Sequence, residues 1–68
     1  MNDNHDGDNV ANLMSVRVAL VSARRSLAAG LGGPHVEGIG ERLQAIQEKI
    51  EAVDRAILDE RRLAAEPI

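Results

Sequence analysis

The sequence predicts an all-α protein, an antiparallel two-helix hairpin that dimerises into a four-helix bundle. Three observations carry this reading. Within residues 39–64 the apolar positions Ile39, Leu43, Ile46, Ile50, Val53 and Ile57 are spaced by four and three in alternation, which keeps one seam of an α-helix facing a partner. A second apolar stripe occupies residues 10–29, and the run Gly30-Leu31-Gly32-Gly33-Pro34 separates the two. Phe, Tyr and Trp are absent, so any core is made of short aliphatic side chains, which suit close helix packing better than a sheet.

Size makes association an expectation. A chain of 68 residues has room for one domain at most, and one this short buries only about 60% of the surface that its unfolded form exposes. Small scaffolds are usually reinforced by disulfides, a metal or a partner. Here there is no Cys, and the only two His, His5 and His35, lie in separate polar stretches. No metal or other cofactor is expected, and self-association is the device that remains.

Residues 1–9 are Asn, Asp and Gly with one His and one Met, too polar to fold by burial, and are expected to form a disordered acidic arm. Asp8, Asn9 or Asn12 would cap a helix starting at residue 10. Through residues 10–29, Leu13, Val16, Leu20, Ala23 and Leu27 repeat the three-four spacing, and Val10, Met14, Val21 and Ala28 widen the stripe on one flank. Residues 15–21 are rich in Val and partly alternating, which also fits a short strand. The following Ala-Arg-Arg-Ser-Leu-Ala-Ala is a strong helix former with no turn signal before it, and favours helix for the whole segment.

The Gly/Pro turn is expected over residues 30–37, since glycine closes one helix and proline suits the first turn of the next. The second helix is expected over residues 38–66, loose at Gly38 and Gly40 and stopped before Pro67. Glu51, Arg55, Asp59, Arg62 and Glu66 form a ladder of alternating charge along its outer side. With the turn centred on Gly33 and Pro34, Leu27 should lie near Gly40, Leu20 near Ile46, Leu13 near Val53 or Asp54, and Val10 near Ile57. Arg17 would then approach Glu51 or Gln47, and Arg24 would approach Glu41 or Gln44. Asp3, Asp6 and Asp8 would lie near Arg61 and Arg62.

Several chemical readings fail on residue type. Asn2-x-Asn4-x-Asp6-Gly7 has the alternating oxygens of a calcium loop, but its twelfth position is Leu13 where a bidentate Glu is needed. The glycine run lacks the preceding strand and the Lys of a phosphate loop. Ser15, Ser22 and Ser26 have no base and acid to complete a nucleophilic set. No enzymatic activity is expected.

The stretch Leu43-Gln-Ala-Ile46-Gln47-Glu-Lys-Ile50-Glu-Ala-Val53-Asp54-Arg, followed by Glu60-Arg61-Arg62-Leu63-Ala64, resembles the first helix of the all-helical chorismate mutases over about a third of the chain. That family has a catalytic Arg where this sequence has Gln47, and the spacing from Asp54 to the Arg pair is shorter here, so the resemblance implies no catalytic residue. In layout the hairpin is similar to small helical-hairpin co-chaperones of type III secretion and to plasmid-copy-control hairpin dimers, without a shared residue motif.

The functional expectation is a non-enzymatic association module. It would form a homodimer or other homo-oligomer, or bind a larger protein partner, through a seam of Leu13, Val16, Leu20, Leu27, Ile39, Leu43, Ile46, Ile50, Val53 and Ile57. The alternative is a nucleic-acid-binding regulator. If residues 15–21 were a strand, the layout would resemble a ribbon-helix-helix repressor, with Arg17 directed at bases; a helical version would contact RNA backbone through Arg17, Arg24, Arg25 and Lys49. The net charge of −3 argues against nucleic acid as a partner, because phosphate contacts need clustered Lys and Arg. The acidic N-terminal residues do not make a secretory signal, and no run approaches the ~20 apolar residues of a membrane span. A cytoplasmic protein without membrane contact is expected.

Overall fold

The computed structural model describes residues 6–30 and 37–66. Two helices account for nearly all of them: α1 (Asp6–Ala29) and α2 (Ile39–Ala65), packed side by side as a hairpin. Side-chain contacts from Asn9 to Glu60, Arg17 to Asp54 and Arg24 to Gln47 run in opposite order along the two helices, so the packing is antiparallel. Residues 1–5 of the arm expected over residues 1–9, residues 31–36 of the turn expected over residues 30–37, with Pro34 and His35, and the stop at Pro67 lie outside the described residues.

Helix α1 begins at Asp6, one turn earlier than the expected residue 10. Asp8 in the first turn favours the positive end of the helix dipole, which helps offset the weak helix propensity of the segment. Asp8, Asn9 and Asn12, expected as caps, therefore lie inside the helix, and the Asn9 amide donates to Glu60 Oε1 at 3.3 Å. Residues 15–21 are helical throughout, which corrects the strand alternative. The Val residues there are tolerated because strong helix formers surround them and the segment has a helix to pack on.

Helix α2 starts after Gly38, whose φ of 83° is left-handed. Glycine alone takes that conformation without penalty, and the Arg42 N–H closes the first turn on the Gly38 carbonyl at 3.1 Å. Glu41 lies in this first turn, where a carboxylate suits the dipole. At the other end Glu66 is extended (φ −70°, ψ 137°), the conformation that a following proline imposes. The Glu66 N–H bonds to the Leu63 carbonyl at 3.3 Å.

The core is a single line. Ile39, Ile50 and Ile57 are the buried side chains among the described residues, all three from the regular repeat of α2. Leu43, Ile46 and Val53 from the same repeat, and Val10, Leu13, Leu20, Val21 and Leu27 from α1, are half-buried along it. The Cα trace measures 55 × 22 × 14 Å, one helix thick in its smallest direction.

Candidate association surface

The two helices meet unequally. α2 presents an almost unbroken apolar seam, whereas the α1 positions facing it read Val10, Leu13, Arg17, Leu20, Arg24 and Leu27, with Arg17 and Arg24 in line with the leucines. Val16, expected on the seam, is instead 47% exposed, and Ala23, expected in the same three-four repeat, is exposed as well. A long Arg covers apolar surface with its methylenes while its head finds a polar partner, so it competes well for a seam position. Sequence spacing alone treats Arg as an outside residue and so shifts the seam round by about one position.

Both arginines reach partners on α2. Arg17 binds Asp54 through two parallel bonds, Nε to Oδ1 at 2.5 Å and Nη2 to Oδ2 at 3.3 Å, the fork that guanidinium and carboxylate share. Their side chains are each 44% exposed. The hydrogen bond from Arg17, aided by its charge, holds the Asp54 carboxyl below its ordinary pKa, while the bond to Asp54 and its charge raise Arg17. Arg24 Nη1 donates to Gln47 Oε1 at 2.9 Å, and Gln47 Nε2 passes the polarity on to Glu51 Oε2 at 3.3 Å.

These partners correct the expected register. Arg17 meets Asp54 rather than Glu51 or Gln47, and Arg24 meets Gln47 rather than Glu41 or Gln44, each about one turn further along α2. Helical side chains lean toward their own N-terminus. For α1 in an antiparallel hairpin that direction is toward the C-terminus of α2, and a long Arg leans far. Arg62, expected opposite the acidic arm, is held within α2 by Asp59 and by Glu66 at 3.5 Å. The Asp59, Arg62 and Glu66 portion of the expected charge ladder is thus formed.

Gln47, which stands where the chorismate mutases have a catalytic Arg, is engaged by Arg24 and Glu51. A helical segment 15–21 does not supply the strand that a ribbon-helix-helix arrangement needs. Of the three arginines considered for nucleic acid, Arg17 and Arg24 are turned into the seam, and Arg25 stands exposed outside it.

Outside the seam the hairpin shows apolar side chains to water. Val18 is 70% exposed and Leu58 65%, while Met14 and Leu63 are about half exposed. Two shallow grooves adjoin at Arg17. One, of about 410 Å³, lies between the helices and is lined by Met14, Asp54, Ile57, Leu58 and Arg61 besides Arg17. The other, of about 530 Å³, runs along α1 past Val18, Val21 and Arg25. Val18, Leu58 and the Arg17–Asp54 pair therefore share one flank of the hairpin. Sequence reasoning singled out neither Val18 nor the ion pair as part of an association surface. The available signal was that α1 is apolar on more sides than one neighbour can cover. No protein-family model, curated protein or solved structure matches the chain.

Proposed function

We propose that this chain is a non-enzymatic helical association module whose partner is a second copy of itself, two hairpins stacking as a four-helix bundle. One observation carries the reading: the hairpin is a single layer with one line of buried residues, Ile39, Ile50 and Ile57, while Val18 and Leu58 remain in water. Stable domains are normally built from two packed layers around a core. The chain has no disulfide to replace the missing layer. A second hairpin laid on the first supplies it, at the shallow crossing angle that heptad-spaced helices adopt.

Sedimentation equilibrium at micromolar concentration tests this. A particle of twice the chain mass of 7.3 kDa supports the reading. A helical monomer would overturn self-association and leave a larger protein partner, received through a helix-in-groove contact, as the module's target.

A further inference from the structure

We infer that the second copy docks on the flank carrying Val18 and Leu58, enclosing the Arg17–Asp54 pair beneath it. This rests on the reading that the chain self-associates, and it names the surface that does so. The two most exposed large apolar side chains lie on this flank, in grooves that share Arg17 as a common wall. Val16 and Leu63 lie elsewhere. Val16 stands two residues from Val18, about 200° around the helix, and Leu63 stands five from Leu58, about 140° around.

Charge argues for a second copy. Covering this flank encloses Arg17 and Asp54, but the two already neutralise each other through paired hydrogen bonds, so no net charge is buried. Arg25 lines one groove and Arg61 the other, and Glu51, seven residues before Leu58, shares the side of α2 that carries Leu58. A surface with both signs can meet its own copy with cation against anion, whereas a purely acidic or purely basic partner would find like charge somewhere on it.

The test is a pair of charge insertions on each flank, Val18→Glu and Leu58→Glu against Val16→Glu and Leu63→Glu, read by sedimentation equilibrium. An unpaired carboxylate in the covered interface should weaken dimerisation at least about 100-fold, and the same change on the open flank should leave it within about threefold. Because the chain has no Cys, a second readout is available that needs no disruptive variant. A nitroxide placed through Val18→Cys or Val16→Cys on an unlabelled chain is mixed with isotope-labelled wild type. Broadening of the partner's amides by the label at Val18 and not at Val16 is expected. The reverse pattern, or dimers insensitive to Val18→Glu and Leu58→Glu, overturns the assigned flank and leaves self-association standing. A wild-type chain that remains at 7.3 kDa overturns the association reading itself.

Discussion

Ile50 is the most enclosed side chain of the hairpin, 2% exposed at the middle of the α2 seam, and Ile50→Asp is the perturbation with the largest expected effect. Removing its burial forfeits about 1.5–3 kcal/mol of transfer free energy. Leaving a polar group without a partner in the same place adds about 1–3 kcal/mol, more while the carboxylate stays charged. Together these reach about 2.5–6 kcal/mol, against a total stability of about 3–10 kcal/mol for 68 residues at typical values per residue. The variant should therefore lose most of its far-UV helical signal at room temperature and in the absence of denaturant. Ile50→Val and Ile50→Ala provide a graded series, about 0.5–1.5 and 2–5 kcal/mol destabilising by urea titration. A normal melt for Ile50→Asp, or a series without this order, would refute a fold held by one line of isoleucines.

Four further outcomes follow from particular positions. A Cβ added at Gly40 meets nothing within 4 Å, so Gly40→Ala should stabilise by about 0.5–1 kcal/mol in a thermal or urea melt. Gly38→Ala, at a left-handed φ of 83°, should destabilise by about 1–2 kcal/mol although space is open there too. Asp54 has its pKa lowered on folding, so it contributes stability that is complete above its unfolded value and is lost as pH falls through the folded one. Asp54→Asn should accordingly flatten the acid limb of the stability curve below about pH 5, with the unfolded value taken as about 3.9. Arg62→Ala, which removes exposed contacts to Asp59 and Glu66, should shift the urea midpoint by less than about 0.5 kcal/mol equivalent.

The α2 seam was legible in the sequence because its apolar residues obey one period from Ile39 to Ile57, and burial follows that period, with Ile39, Ile50 and Ile57 buried. α1 was legible as a helix but not in its orientation. Its apolar residues surround it, so spacing alone could seat either Val16 or Arg17 against α2, and hydrophobicity favoured the wrong one. What decides is the pairing of Arg17 with Asp54 and Arg24 with Gln47, a fact of two helices together that no one-helix pattern contains. The helix start was missed for a related reason: the acidic segment read as loop by composition, yet a carboxylate such as that of Asp8 is favourable in a first turn. The flank carrying Val18 and Leu58 was visible only as surplus, because which apolar residues stay in water depends on the register of the pair.

The central claim is that a single hairpin lacks a second layer and obtains it from its own copy. Thermal unfolding of the wild-type chain at two concentrations a hundredfold apart tests this most directly, because a folded state that exists as a dimer gains stability by mass action. The gain is about 2.7 kcal/mol for that ratio, and the midpoint should rise by about 5–10 °C. An identical midpoint at both concentrations, with the helical signal of an intact fold, would contradict it.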